Sequence, residues 1–185
     1  MQHLFSQIIQ FYPLPVAAQN ALLDCLEKKV TVKNEFLLTE GKICRHLYFL
    51  ETGAVRGFYN LNGKDMTHWF VFENDFVTSF HSFITGKPAV ENIQLLEGCV
   101  LWAISKNNIT ALFDQHHEIE RLVRIACEKY YIRLRERYVN VQFKTAKELY
   151  KNLLAQSPHI LERIPLGCIV SYLGISQETL SRIRS

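Results

Sequence analysis

The feature that most restricts how this chain can fold is its C-terminal stretch, residues 166–185, which reads LGCIVSYLGISQETLSRIRS. Apolar residues recur there at helical spacing, stop at Gly174, and resume after Ser176, which can cap a second helix. A glycine at the end of the first helix can take a left-handed backbone without a Cβ clash. The stretch therefore predicts two short helices joined by a tight turn. Their inward positions are Leu166, Ile169, Val170 and Leu173, then Leu180 and Ile183.

The second predicted helix has an outward face whose side chains suit the edges of DNA bases. Gln can bond adenine, Glu can accept from the cytosine amino group, and Arg can bond guanine through two N–H groups. The face therefore indicates a helix that enters the major groove. Its positions are Gln177, Glu178, Ser181, Arg182 and Ser185. The plainer alternative is an amphipathic surface helix in which Glu178 and Arg182 form an i, i+4 pair worth about 0.3 kcal/mol.

The charge of the chain is unevenly distributed, although its total is only +3. Residues 1–115 carry 9 Lys and Arg against 11 Asp and Glu, a net of −2. Residues 116–185 carry 12 against 7, a net of +5. The basic end is the end with the predicted helix pair, which favours a polyanion as its partner.

The chain has the composition of a water-soluble protein. No run of 18 uncharged apolar residues is present, and the N-terminus has neither a basic head nor a continuous apolar block. We therefore expect a cytoplasmic protein without a membrane span. Five cysteines lie far apart, without a CxxC pair, and we expect buried free thiols. They are Cys25, Cys44, Cys99, Cys127 and Cys168.

The segment from Val30 to Ser105 has the period of two that is typical of β-strands. Asn62-Gly63 between two such runs predicts a type I′ hairpin, because this turn needs two positive φ angles. Six or more short strands indicate a sandwich or barrel, and short helices are predicted before them, within residues 2–28. The predicted strand segments are VTVKNEFLLTEG (30–41), HLYFLETG (46–53), AVRGFYN (54–60), DMTHWFVFEND (65–75), ENIQLLEG (91–98) and CVLWAIS (99–105).

Helical periodicity returns after Ser105, where Asn107 or Asn108 can cap a turn that leads to Phe113. A helix of about 24 residues, about 36 Å long, is predicted from His116. It is too long for a small β-domain to cover, so we favour contact with the same helix of a second chain. The alternative is a capping helix that packs on its own domain throughout. The predicted stripe is Ile119, Val123, Ala126, Tyr130 and Leu134, continued by Tyr138 and Val141.

Residues 145–156, TAKELYKNLLAQ, predict a further amphipathic helix, which Ser157-Pro158 ends. A loop then leads to Pro165, which suits the start of the first helix of the C-terminal pair. This part of the chain is therefore predicted to be helical throughout.

The order of these parts resembles the Crp/Fnr family of bacterial transcription regulators. The resemblance covers nearly the whole chain and rests on HLYFLETGAVRGFY, ENDFVTSFHSFITGKPAVENIQLLEGCVLWAISKNNI and IPLGCIVSYLGISQETLSRIRS. It implies an α+β fold with three parts. They are a jelly-roll-like antiparallel β-roll of the cyclic-nucleotide-binding type with flanking helices (1–115), a dimerisation helix (116–139) and a helix-turn-helix domain without the family's β-wing (140–185).

The resemblance also implies a cytoplasmic homodimer that reads double-stranded DNA, with RNA polymerase as a candidate partner. Two reading helices would meet half-sites roughly 10 base pairs apart. By resemblance, Gln177, Glu178 and Arg182 read bases. Ser176, Thr179 and Arg184 are then candidates for backbone contacts, and Ser181 shares their outward face. Without a wing, affinity is expected to depend on dimerisation and on Arg182, Arg184, Lys144 and Lys147. The family usually has a small residue where this chain has Val170, which is expected to separate the two helices slightly.

The cyclic nucleotide site of the family is where this sequence departs from the resemblance. Members that bind cyclic AMP use a Gly-Glu pair and an Arg-Ser pair, which here correspond to Thr78-Ser79 and Ala89-Val90. A phosphate would have no cationic partner, at a cost of several kcal/mol. We therefore expect no binding of cyclic AMP, with nearby Lys87 as the residue that can compensate. We expect the roll to bind another apolar or anionic effector, or to bind none.

The sequence predicts no cofactor and no enzymatic activity. Only Cys25 lies in the first 40 residues, whereas an iron-sulfur cluster needs four thiolates. His46, His68 and His81 lack metal-ligand spacing, and no strand pairs His with a carboxylate as metal catalysis requires. The alternative function is an effector-binding or protein-docking module whose helix pair has lost DNA binding. The modest net charge of +5 on residues 116–185 favours that alternative. The salt dependence of binding distinguishes protein docking from DNA binding.

Overall fold

The computed structural model describes residues 2–184, so Ser185, which was predicted on the outward face of the last helix, lies outside the described residues. The chain begins with two helices, α1 (Gln2–Ile8) and α2 (Val16–Asp24), as predicted for residues 2–28. Eight strands follow within the described range. They are β1 (Glu27–Val30), β2 (Phe36–Leu38), β3 (His46–Thr52), β4 (Val55–Leu61), β5 (Lys64–Val71), β6 (Asp75–Val77), β7 (Asn92–Leu95) and β8 (Val100–Ser105).

The strands form two antiparallel four-stranded sheets, which confirms the predicted β-roll. One sheet has the order β1-β8-β3-β6 and the other β2-β7-β4-β5. The hairpin between β4 and β5 turns at Asn62 and Gly63, whose φ angles of 52° and 81° confirm the predicted turn. The single strand predicted over 30–41 is wrong, because Asn34 has a φ of 72° and divides it into the end of β1 and β2.

Two elements of the roll were not predicted. Strand β6 follows Asn74, whose φ of 65° turns the chain, and it pairs with β3. A helix, α3 (Phe80–Thr85), follows β6 and ends at Gly86 with a φ of 71°. Both lie in the segment that the resemblance assigns to ligand contacts. Their backbone therefore decides which side chains of that segment are buried.

The second half of the chain is helical. Helix α4 (Lys106–Gln115) is capped by Ser105, whose hydroxyl accepts from the Asn108 N–H, so the predicted caps Asn107 and Asn108 are wrong. A hydroxyl accepting from the third residue of the helix is the usual N-cap bond. The remaining helices are α5 (His117–Phe143), α6 (Ala146–Gln156), α7 (Ile160–Arg163), α8 (Leu166–Leu173) and α9 (Gln177–Arg184). Helix α7 lies where a loop was predicted.

Helix α5 is 27 residues long and continues to Phe143, beyond the predicted boundary at residue 139. Helix α6 begins with a capping box, in which the Thr145 hydroxyl accepts from the Glu148 N–H and the Glu148 carboxylate accepts from the Thr145 N–H. The backbone of Thr145 is extended and not helical, so the chain changes direction between α5 and α6. The long helix and the C-terminal helical unit (residues 146–184) are thus joined by two residues.

Two hydrophobic clusters hold the chain together. The first fills the roll around Phe49 of β3, and it includes residues of α1, α2, α4 and the first half of α5, such as Ile119. The second lies in the C-terminal helical unit, around Ile160, Ile169 and Leu180, and it includes Ala54 and Leu96 of the roll. The C-terminal helical unit therefore shares part of its core with the roll.

The five cysteines are free thiols, but the prediction that all are buried is wrong. Cys44 and Cys99 are buried, whereas Cys25, Cys127 and Cys168 are half-buried on helices or at helix ends. Within the described range, no helix combines the length and the apolar character that a membrane crossing requires.

Candidate functional site

Helices α8 and α9 form the predicted pair. Gly174 ends α8 in the left-handed region, with a φ of 68°, and the Ser176 hydroxyl accepts from the Thr179 N–H at 3.2 Å. Leu180 is buried between the helices, and Ile183 packs against the same cluster. Leu166 is 41% exposed, so the prediction that it points inward is wrong, because it lies in the first turn of α8 at the edge of the cluster. The other predicted inward residues of α8 are buried.

The outward face of α9 is exposed along its length. Gln177, Glu178, Ser181, Arg182 and Arg184 are exposed, as is Ser176 before the helix. Lys144 and Lys147, which precede and open α6, are exposed as well. These residues, among those predicted to contact DNA, are therefore accessible to solvent.

Contacts within α9 order two of these side chains. Thr179 is half-buried, and its hydroxyl accepts from Arg182 Nη2 at 3.2 Å. The pKa of Glu178 is lowered, first by a hydrogen bond from Ser176 and also by the charge of Arg182. Glu178 is therefore a carboxylate at neutral pH and can only accept hydrogen bonds.

Ser171 fastens α8 to strand β5 of the roll. Its hydroxyl accepts from the Thr67 N–H at 2.8 Å and donates to the Asp65 carbonyl at 2.6 Å. Next to it, the rings of Tyr172 and Phe70 lie 5.1 Å apart. A small polar residue within an otherwise apolar helix was the only sequence signal for this contact.

A cluster of three charged side chains joins α7 to the roll, and we call Arg163, Glu73 and Glu97 the Arg163 clamp. Arg163 donates four hydrogen bonds to the two carboxylates, at 2.6 and 2.9 Å to Glu73 and at 2.7 and 2.9 Å to Glu97. Glu73 also accepts from the Gly53 N–H at 2.9 Å. Bidentate hydrogen bonds between an arginine and a carboxylate fix the relative orientation of the two side chains and also pair their charges. Nothing in the sequence signals the clamp, because its members lie 66 and 90 residues apart.

The residues predicted for an effector pocket do not all lie together. Thr78, Ser79 and Ala89 are buried, whereas Lys87 and Val90 are exposed, Val90 by 59%. Thr78 bonds the His46 carbonyl and the Cys44 sulfur, so its hydroxyl is already used. The exposed pair lies on the loop that follows α3, where the chain passes over the surface of the roll.

A buried carboxylate lies among these residues, and we call Glu91, Ser79, His68 and Trp69 the Glu91 network. Glu91 is 6% exposed; Ser79 Oγ donates to its Oε1 at 2.5 Å, and His68 Nε2 and Trp69 Nε1 lie 2.8 and 3.2 Å from its Oε2. Trp69 lies so close to Gly57 that a Cβ there would meet its ring at 2.1 Å. Sequence reasoning missed Glu91, since no pattern marks a carboxylate as buried.

The Glu91 network keeps its carboxylate ionised. Burial alone would raise the pKa of Glu91, but hydrogen bonds from His68, Ser79 and Trp69 and the charge of His68 lower it below its ordinary value. The network therefore places a negative charge beside Ser79, inside the roll. A carboxylate that is hydrogen-bonded on both oxygens leaves little capacity for a further ligand.

The predicted stripe of the long helix is divided between two environments. Ile119 and Ala126 are buried in the roll core and Val123 packs against it, while the Tyr130 ring lies 4.2 Å from the ring of Phe80. Ile119 and Ala126 are buried against their own roll, so the prediction that these two face a second chain is wrong. For Val123 and Tyr130, which are half-buried, it stays a prediction. Leu134 is 47% exposed.

The second half of α5 carries an exposed apolar row, which we call the α5 seam and which adds Tyr131 to three residues of the predicted stripe. Its members are 47% to 66% exposed and recur at spacings of three and four residues. This spacing is that of a two-helix seam. They are Tyr131, Leu134, Tyr138 and Val141.

The residues that the structure describes contain no group of three or more His, Cys, Asp and Glu that could hold a metal ion. His68 contacts Glu91 and stacks on Tyr59, with ring centroids 4.4 Å apart. These contacts account for the position of the His68 ring.

Residues 28–116 match the family model of the cyclic nucleotide-binding domain. No curated protein matches the chain. The matched range runs from β1 through α4 and ends at the N-cap of α5.

Several solved structures share the fold of this chain. A putative regulator of the Crp/Fnr family from Eubacterium rectale has a TM-score of 0.73 at 16% identity, over 94% of this chain and 85% of its own. FixK2 from Bradyrhizobium japonicum has a TM-score of 0.75 at 16% identity, over 86% and 82%. The c-di-GMP responsive regulator CLP from Xanthomonas campestris has a TM-score of 0.70 at 14% identity, over 91% and 89%. These likenesses extend to the helices that follow the roll.

Proposed function

Because residues 28–116 match the cyclic nucleotide-binding domain, and 94% and 86% of the chain share the folds of the Eubacterium rectale Crp/Fnr protein and of FixK2, we propose that this protein is a homodimeric, sequence-specific DNA-binding transcription regulator. One observation carries the proposal: the polar face of α9 is exposed although α8 is fixed to the roll. The roll with its flanking helices is then the sensor part, α5 the dimerisation helix, and residues 144–184 the DNA-binding part.

The side chains of α9 suit distinct tasks in the major groove. Gln177 and Arg182 can bond adenine and guanine edges, and Glu178, held as a carboxylate, can accept from a cytosine amino group. Ser176, Thr179, Ser181 and Arg184 lie beside them and suit contacts to phosphates. Lys144 and Lys147 add positive charge next to this face.

The α5 seam supports the homodimer. Four exposed apolar side chains on one helix face expose surface that a second copy would bury, and the coiled-coil spacing matches a parallel pair of helices. A twofold axis along the paired helices would present two copies of α9 to adjacent turns of DNA.

Replacing Arg182 with alanine is expected to weaken binding to a selected palindromic DNA by about 1–3 kcal/mol for each half-site. The guanidinium is exposed and can supply two parallel N–H donors to guanine, which alanine cannot replace. Sites are selected from random duplexes, and affinities are measured by fluorescence anisotropy. Arg45→Ala, an exposed arginine of the roll, is the matched control and leaves the affinity unchanged.

The same titrations separate DNA binding from protein docking. A DNA-binding protein loses affinity steeply as salt rises, because phosphate contacts release counterions. Equal losses for Arg182→Ala and Arg45→Ala, or a preference for the selected site no better than for bulk DNA, would contradict the proposal and favour a docking module.

We also propose that the roll does not respond to cyclic AMP. A phosphate between Ser79 and Ala89 would lie beside the Glu91 carboxylate, and the positions of the family's cation-bearing pair are Ala89 and Val90. Bringing a second negative charge into this buried site is unfavourable. Calorimetric titration with cyclic AMP up to about 1 mM is expected to give no saturable heat. A relative that carries both contact pairs is the positive control, and saturable binding by this chain would refute the expectation.

A further inference from the structure

A cavity of about 410 Å³ lies where three parts of the molecule meet. Strands β5 and β6 of the roll form one wall, and the second half of α5 forms another. Leu153, Ile160 and Tyr172 of the C-terminal helical unit close the third side. Thr78 and two members of the Glu91 network, His68 and Trp69, contribute to its lining, whereas Ser79, Ala89 and Glu91 do not. Its volume is in the range of small-molecule sites.

The walls of the cavity are rich in aromatic rings. Phe70, Phe76, Phe80, Tyr130 and Tyr172 all contribute to its lining. They come from β5, β6, α3, α5 and α8, so the rings converge from five elements. Aromatic walls of this kind favour a flat, apolar ligand body, which can stack or meet ring edges.

Arg137 supplies a cation on one wall. Its Nη2 donates to the Tyr172 carbonyl at 2.5 Å, and its guanidinium lies 3.7 Å from the centre of the Tyr172 ring. Among the described residues no carboxylate pairs with it, whereas the neighbouring Arg133 is paired with Asp75. A guanidinium has five N–H donors, so Arg137 can bond an anion while it keeps the Tyr172 contact.

We propose that this cavity binds an aromatic organic acid, with the flat ring system among the aromatic side chains and its carboxylate or sulfonate on Arg137. Such a ligand would contact the roll, the long helix and the C-terminal helical unit at once. The proposal concerns ligand binding to the protein alone, so its failure leaves the proposal of DNA binding untouched.

Two dyes of similar ring structure test the proposal by calorimetry on the full chain. The probe 8-anilinonaphthalene-1-sulfonate carries a negative charge, and N-phenyl-1-naphthylamine lacks it. The wild type is expected to bind one molecule of either dye per chain. Arg137→Gln, which keeps a donor for the Tyr172 carbonyl, is expected to weaken the sulfonate at least about tenfold and to leave the neutral dye unchanged. Arg135→Gln, exposed on another face of α5, is the matched control and changes neither.

A second variant tests the location. Asn140 lines the cavity, and Asn140→Trp is expected to fill it and abolish binding of both dyes while the melting temperature stays near that of the wild type. Binding of the neutral dye by Arg137→Gln also shows that this variant is folded. Unchanged binding by Asn140→Trp, equal sulfonate affinities for the two arginine variants, or loss of both dyes in Arg137→Gln would each overturn the proposal.

Discussion

Replacing Tyr131 and Tyr138 together with aspartate will give a monomer that binds palindromic DNA about a hundredfold or more weakly than the wild type. Both rings belong to the α5 seam and are about two-thirds exposed, at 65% and 66%. Two carboxylates facing their copies across a twofold axis would repel one another in an apolar interface. A monomer loses the gain in affinity that two linked half-site contacts provide.

The matched control for this experiment is a double aspartate variant on another face of the same helix. Ile132 and Phe143 are 53% and 83% exposed and lie away from the seam. Aspartate lowers the helix propensity by a similar amount at either pair of sites. Only the seam variant is therefore expected to dissociate from a dimer into monomers. Analytical ultracentrifugation gives the oligomeric state, and anisotropy gives the DNA affinity. A wild type that is strictly monomeric, or dissociation by the control alone, would refute the assignment of the seam.

Replacing Arg163 with alanine is expected to lower the free energy of unfolding by about 2–3 kcal/mol and to loosen the C-terminal helical unit from the roll. The change leaves Glu73 and Glu97 close together without a cation. Because the three side chains are 27% to 32% exposed, solvent screens part of this cost. Urea unfolding measures the free energy of unfolding. The rate of limited proteolysis after Gln156 measures how far the C-terminal helical unit has loosened from the roll. Arg124→Ala, which removes an exposed i, i+4 pair with Glu128, is expected to cost less than about 0.5 kcal/mol.

The Arg163 clamp also predicts a dependence of stability on pH. Burial alone would raise the pKa of Glu73, but its hydrogen bonds from Arg163 and Gly53 and the charge of Arg163 lower it below its ordinary 4.5. The stability that the clamp contributes is therefore complete above the unfolded pKa and is lost as pH falls through the folded one. Between about pH 6 and about pH 3 the wild type should lose more stability than Arg163→Ala. Parallel losses would contradict the role given to Glu73.

Most of the secondary structure was predictable because its signals are local. The positive φ angles of Asn62 and Gly63, the left-handed Gly174 and the cap at Ser176 each depend on residues within four positions of one another. The errors came from local signals that compete. Asn34 interrupts an alternating run, and Ser105 precedes two asparagines that can also cap a helix.

The faces of the long helix were the main failure. Ile119 and Leu134 belong to the same predicted stripe, but Ile119 is fully buried and Leu134 is 47% exposed. The roll covers the first half of α5 and leaves the second half exposed. A pattern of hydrophobicity reports how much surface is to be buried, and it does not report whether the chain itself or a second copy buries it.

The sequence by itself determined the β-roll, the long helix, the closing helix pair and the polar face of α9, because these depend on spacing, turn chemistry and capping within short segments. Only the tertiary structure decided the position of Glu91 beside Ser79, the Arg163 clamp and the cavity at Arg137. Those features join residues from 12 to 90 positions apart. Contacts over such distances follow from how sheets and helices pack, and no local pattern of residues encodes them.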